Sequence, residues 1–347
     1  MLLLVLIPIG YHCIVVKEIS ALFEGKSSGL FYHLVQLFYP RFFVEMHRFD
    51  LAFFLSHAQQ VIWRFEIVSI VLLLGIYAKH KSTKFNQQLQ QYWHEKPLDF
   101  NSKINHFIVY GAILYYFHDY LEGYAFWIQY ADLYQAILLF KILHISLLSL
   151  GVVQVLFGIF CLATIAAMFR IQLKISSLVV CLLFILFQGW NYSFGKINHG
   201  FALLTYASIL LCIESYLPDN QKGITQRLIQ LTIAFCYLMA GLEKLFISHF
   251  DWVSATTFQG YLLLHPTPLS EYVLKFEWLC VLLPSIALAI QLGFVGIIFF
   301  KKLRPWILTS GVCFHFGTVV LLGISSYVHP WVICYIFFVD WNKLFKY

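Results

Sequence analysis

Apolar residues in this chain come in long unbroken runs, separated by short polar links, and almost nowhere alternate with polar ones. Ten runs stand out, at about 2–16, 61–78, 104–121, 146–169, 175–191, 200–216, 228–244, 275–300, 306–324 and 328–341. A helix that crosses the hydrocarbon of a bilayer needs about 20 mostly apolar residues. Strands of a membrane barrel would show a period of two instead. The pattern therefore predicts an all-α fold, a polytopic integral membrane helix bundle. The first and last runs are short, which sets the expected count at about 8–10 transmembrane helices. Run 2–16 has no basic start and no clear small-residue cleavage site, so it is expected to be a retained helix rather than a signal-peptide core.

Composition sharpens this picture. Of 347 residues, 61% are hydrophobic and only 12% charged, and the mean hydropathy is +0.77. Soluble domains are about a quarter charged, so lipid has to solvate much of this surface. Backbone groups facing lipid must then be paired internally, which helices achieve. The eight cysteines lie almost wholly within apolar runs and form no Cys-x-x-Cys pair. They read as small hydrophobes rather than as a zinc or redox site.

The net charge of +6 carries orientation rather than nucleic-acid affinity, because no basic cluster has the polar flanks of such a surface. With the lysine-rich link 79–103 placed in the cytoplasm, the inside links carry fourteen Lys and Arg and the outside links six. That asymmetry follows the positive-inside rule. Both termini are then expected in the cytoplasm, and the long links 17–60, 122–145 and 245–274 outside. The last of these carries Trp252, Tyr261 and His265-Pro266-Thr267-Pro268, and reads as an interfacial or re-entrant lid. A bacterial inner membrane suits this arrangement.

Ionisable groups at membrane depth are costly and point to function. Lys244 is the sharpest, at the outer end of the seventh run in Ala240-Gly241-Leu242-Glu243-Lys244-Leu245, shortly before Asp251-Trp252. An ammonium stripped of water gives up its proton more readily and serves as a general base near neutrality. The bland alternative is a lysine that snorkels to the headgroups or pairs with Glu243 or Asp251. His199 stands at the outer mouth of the sixth run, and His315 lies midway along the ninth in Phe314-His315-Phe316. Each alone reads as a hydrogen-bonded core histidine. With Lys244 and Ser325-Ser326-Tyr327 on the same side, they are expected to converge on one polar pocket in an apolar bundle.

Four motifs, in order, carry a family resemblance. They are Phe169-Arg170-Ile171 before an apolar helix, Trp190 followed by Asn198-His199-Gly200, and the Lys244 motif followed by Asp251-Trp252-Val253. The fourth is Phe314-His315 followed by Gly323-Ile324-Ser325-Ser326-Tyr327. Residues 103–341 resemble the membrane domain of vitamin K-dependent γ-glutamyl carboxylase and its bacterial relatives, the HTTM (horizontally transferred transmembrane) proteins. Residues 1–102 are then an N-terminal extension with two transmembrane helices.

The resemblance implies that Lys244 deprotonates a lipid quinol. It also implies that Asn198, His199, Trp252, His315 and Tyr327 line the cofactor pocket or stabilise an oxyanion. It does not extend to the carboxylase's large luminal domain, and Glu243 replaces a lysine of its motif. The expected substrate is therefore a small molecule or secreted peptide rather than a protein glutamate. Two readings from other classes compete: a non-catalytic maturation, export or immunity factor for a secreted peptide, and a transporter, for which Glu214 is the residue of interest. Membrane lipid is the expected surroundings, and no nucleic acid or metal is expected.

Overall fold

The computed structural model describes residues 2–27, 29–39, 41–94, 99–195, 199–323 and 329–345. It is 83% helix, and no strand occurs among the described residues. The chain divides into two compact units, 1–91 and 92–347.

The first unit is built on α1 (Leu2–Phe23) and α2 (Leu51–Lys81), which pack on each other. Ile19, Leu22, Phe42, Phe54 and Ala58 are buried between them and the short helices that join them. Asp50 starts α2, its carboxylate accepting the Phe53 N–H at 2.9 Å. That bond satisfies one of the orphan donors of a helix N-terminus.

The second unit is a bundle of α3 (Asp99–Tyr116), α4 (Leu150–Met168), α5 (Leu173–Tyr192), α6 (Ala202–Tyr216), α7 (Lys222–Ser248), α8 (Ala255–Leu264), α9 (Glu277–Gly293) and α10 (Arg304–Leu322). α4 lies between α3 and α5, and packing then runs from α5 to α6, α6 to α7 and α7 to α9. Aromatic rings fill the centre of its first half. Tyr120 and Phe187 lie 4.6 Å apart, and Phe117 and Phe184 4.9 Å. Their polar neighbours reach backbone acceptors, as buried Tyr and Trp must: Trp190 Nε1 donates to the Ser146 carbonyl and Tyr124 Oη to that of Leu148.

The Phe169-Arg170-Ile171 motif makes the turn from α4 to α5. Arg170 and Gln172 both have positive φ, 60° and 45°, a conformation uncommon for residues with a side chain. Arg170 is tied by an ion pair to Asp99 at 2.8 Å, and Lys103 binds the same carboxylate at 2.7 Å. Those two partners hold the Asp99 carboxyl down at about 2. The contribution is full above the usual carboxylate range and fades as pH falls from about 4 toward about 2. Because Asp99 is largely exposed, Asp99→Asn is expected to cost well under about 1 kcal/mol, read as a small shift in thermal midpoint at neutral pH.

Glu214 is buried in the bundle, and both carboxylate oxygens are taken. Ser102 donates to one at 2.9 Å and Thr225 to the other at 3.1 Å. The group thereby fastens α3, α6 and α7 together.

Among the described residues, five helices are long and apolar enough to cross a membrane, within 51–81, 150–168, 173–192, 222–246 and 301–322. α6 and α9 coincide with predicted runs but have 15 and 17 residues, short of the usual spanning length. The last run, 328–341, is not one helix. It forms a four-residue helix, Pro330–Ile333, then a 3-10 turn, Cys334–Phe338. Side chains of α7 explain why the backbone leaves the helical path there. Gln226 and Gln230 both donate through Nε2 to the Phe337 carbonyl, so this irregular backbone is satisfied from a neighbour while buried in protein.

Candidate functional site

A cavity of about 400 Å³ opens among α7, α8, α9, α10 and the 3-10 turn His249–Val253. Its volume follows from what the two facing helices present. α9 offers Pro284, Ala287 and Gln291 at i, i+3 and i+7; α10 offers Cys313, Gly317 and Leu321 at i, i+4 and i+8. Ala287 on one stripe and Cys313 and Gly317 on the other are small, and leave space that larger side chains would fill. Trp252, Phe258 and Tyr261 close another side, the Trp252 and Tyr261 rings 5.4 Å apart. Ile286 and Cys313, both on the wall, are exposed on the outside of the bundle. The cavity therefore communicates sideways with that surface.

Polar groups on these apolar walls are few. Lys244, half-buried, has its Nζ 4.8 Å from the centre of the Trp252 ring. Its hydrogen-bond partner is the Ala240 carbonyl one turn back, at 3.3 Å, and it forms no ion pair with any carboxylate among the described residues. Glu243, its neighbour in sequence, acts on the ammonium through its charge rather than through a contact within ion-pair distance. Gln291 is 6% exposed, and among the described residues its Oε1 has no hydrogen-bond partner, and neither has the buried Nε1 of Trp252. A cation, an open acceptor and an open donor thus stand on one apolar wall. Leaving a buried polar atom unpaired costs about 1–3 kcal/mol, a cost that a ligand pairing with it removes.

A second polar group lies beside this cavity. Tyr237, two turns before Lys244 on the same face of α7, is hydrogen-bonded through its hydroxyl to His315 Nε2 and to Tyr335 Oη. The Tyr237 ring stacks on Phe294 at 4.2 Å, and the His315 ring on that of His329 at 4.3 Å. His329 Nδ1 accepts the Trp331 N–H at 3.3 Å, so its neutral ring carries the proton on Nε2. The chain Tyr335–Tyr237–His315 can donate in either direction, ending with a proton on one or the other imidazole nitrogen. Phe314 lines the cavity and sits 5.1 Å from the His315 ring, separating the two groups.

The residues expected to converge do so only in part. Lys244 and Trp252 share the cavity. His315 is buried behind Phe314 and absent from its wall, turned toward Tyr237. His199 is exposed, and its described link to this region is a backbone one, its carbonyl accepting Trp331 Nε1 at 3.3 Å. One residue along the helix, a rotation of about 100°, separates Phe314, which faces the cavity, from His315, which faces the neighbour, and hydropathy does not report that angle. Asn198 and Tyr327 lie outside the described residues. Sequence reasoning missed Gln291, Tyr237, His329 and Tyr335. An amide inside the otherwise apolar run 275–300 was the available signal for Gln291. Tyr237 and Tyr335 sit in apolar runs where a tyrosine reads as bulk.

Fold and site together define an all-α bundle, compatible with an integral membrane protein, that carries a lysine-bearing apolar cavity. Compared with known proteins, the chain matches no family model, no curated protein and no solved structure.

Proposed function

We propose that this chain is a polytopic membrane enzyme related to the HTTM and carboxylase membrane domains. In this reading it uses Lys244 as a general base on a lipid quinol held in the cavity beside Trp252. The observation that carries it is Lys244 itself, unpaired by any described carboxylate on a wall otherwise almost wholly apolar. Its order in the sequence with Phe169-Arg170-Ile171, Asp251-Trp252-Val253 and Phe314-His315 supports the relationship.

The residues present fit a quinol nucleus. About 400 Å³ is within the range of small-molecule sites. Gln291 and Trp252 both line the cavity and each carries a buried polar atom, Oε1 and Nε1, with no partner among the described residues, so a turn of either side chain would offer it to a quinol oxygen. A bound quinol supplies an acidic hydroxyl and two-electron redox chemistry. Lys244 takes up the hydroxyl proton, and the aromatic wall keeps bulk water from competing for it. The His315–Tyr237–Tyr335 chain holds protons one helical layer away.

Binding tests this directly. Purified protein titrated with a short-chain naphthoquinone should show quenched tryptophan emission, and Trp252→Phe should lose most of that signal. Gln291→Leu should weaken binding by roughly tenfold, one charge-free hydrogen bond, while leaving thermal stability equal or higher, since it removes an unpaired acceptor. A variant that loses stability and binding together would mark Gln291 as a packing residue.

The same proposal places α3, α6 and α9 across the bilayer with the five longer helices, in a bundle of eight to ten crossings. Lys84 then faces the cytoplasm and Thr256 the opposite side. Single cysteines introduced at these positions should react with an impermeant maleimide from opposite faces of sealed vesicles. Labelling from one face alone would require a different number of crossings between them.

A further inference from the structure

α3 carries Ser102, His106 and Tyr110 at i, i+4 and i+8, so the three share one face of the helix. All three are buried, His106 to 1% exposure and Tyr110 to 0%, while Phe107 and Tyr115 of the same helix are exposed. Ser102 ends on Glu214 of α6 at 2.9 Å. The two rings beyond it lie 5.9 Å apart. Among the described residues neither nitrogen of the His106 ring, nor the Tyr110 hydroxyl, has a hydrogen-bond partner. We propose that His106 and Tyr110 bind ordered water inside the bundle, and that this water joins them to the Glu214 network as one internal hydration site.

The demand comes from the side chains themselves. A neutral imidazole always presents one N–H and one lone pair, and a phenol presents both kinds on a single oxygen. Three such atoms orphaned within about one turn of helix run against the rule that buried polar groups are paired. The surrounding bundle obeys that rule. Glu214 takes Ser102 and Thr225, and the Ser177 and Ser215 hydroxyls of α5 and α6 bond each other at 3.2 Å.

Enclosure and charge identify the guest. The two rings are shut in, so their partner is small, and it must both donate and accept. Water does both, and forms about three hydrogen bonds when buried. Charge of both signs reaches the column: Arg170, Lys222 and Asp99 act on His106 through space, and Glu214 acts on Tyr110. That mixture favours a neutral guest over an anion or a cation. With water in place, hydrogen bonding at Glu214 is felt at His106 by way of the phenol.

The inference depends neither on the quinol reading nor on the Lys244 cavity. Nuclear magnetic resonance of the isotope-labelled full chain in bilayers is the test, with the His106 ring assigned through its own backbone amide. Both ring nitrogens should receive magnetisation from water, and Tyr110→Phe should lose much of that transfer. The same variant, close in shape to the original, should lower the thermal midpoint by about 2–4 °C, the loss of roughly one hydrogen bond. Glu214→Gln should shift both ring resonances in the parent chain and shift them far less in Tyr110→Phe. Ser285→Ala, whose hydroxyl bonds the Val281 carbonyl of its own helix, should leave them in place. A His106 ring without contact to water would overturn the site. So would a raised midpoint in Tyr110→Phe, because deleting an orphan hydroxyl from a dry core relieves a penalty. Equal Glu214→Gln shifts in the two backgrounds would overturn the shared network.

Discussion

Replacing Lys244 by alanine is expected to abolish activity while expression and membrane insertion stay normal. General-base catalysis contributes about 10² to 10⁴-fold in rate, enough to read as loss of function in complementation of a deletion strain. Truncation at this site should disturb the fold little, because among the described residues the ammonium bonds the Ala240 carbonyl of its own helix and rests over Trp252. The informative variant is Lys244→Arg. Guanidinium keeps the charge and the contact with the indole ring but does not release its proton in the physiological range. A base therefore fails in both variants, whereas a lysine that anchors the helix end tolerates arginine. Full rescue by arginine, with protein levels matched by blot, would refute the base. It would favour the non-catalytic maturation, export or immunity role.

Gly311→Ala is the second large effect expected, and it is structural. A Cβ built there would lie 2.5 Å from Tyr335 Oη and 2.9 Å from Phe294 Cε2. Those two rings hold Tyr237, one through its hydroxyl and the other by stacking. Alanine in a helix gains about 1 kcal/mol over glycine, but overpacking a buried contact costs about 1–3 kcal/mol, so the balance is loss. Thermal unfolding in lipid should show it, together with release of the Tyr335–Tyr237 bond. In a Tyr335→Phe background the closest clash is gone, and alanine should cost less by about 0.5 kcal/mol or more. Equal costs in the two backgrounds would mean that the helices separate without strain at this point.

Much of the fold was legible because apolar runs report helices directly. The run 175–191 became Leu173–Tyr192, and 146–169 contains Leu150–Met168. Legibility ended where a neighbour decided the backbone. Nothing in Cys334-Tyr335-Ile336-Phe337-Phe338 says that two glutamines more than a hundred positions earlier will hold its carbonyl and bend it out of the α-helix. The site divided in the same way. Lys244 and Trp252 were visible because a charge and an indole at a helix end are unusual. His315 was visible as a residue but not in its direction. Tyr237 shares its helix face with Lys244, yet its role depends on Tyr335 and Phe294, partners that only packing supplies.

Ending α10, Gly323 adopts positive φ, 58°, and its N–H bonds the Val319 carbonyl. The next carbonyl, of Val320, accepts from Thr267 Oγ1 at 2.8 Å, and that same oxygen receives the Ser270 N–H. One hydroxyl thus ties the start of the short helix Pro268–Val273 to the last turn of α10, the helix that forms one wall of the cavity. If the bundle spans a bilayer as proposed, the exposed side at Ile286 and Cys313 faces hydrocarbon and is the way in. A guest arriving by that door is metered by its mole fraction among lipids, not by its molarity in the buffer. Its dissociation constant, if expressed per litre, should drift upward as more bilayer is added to the same tube.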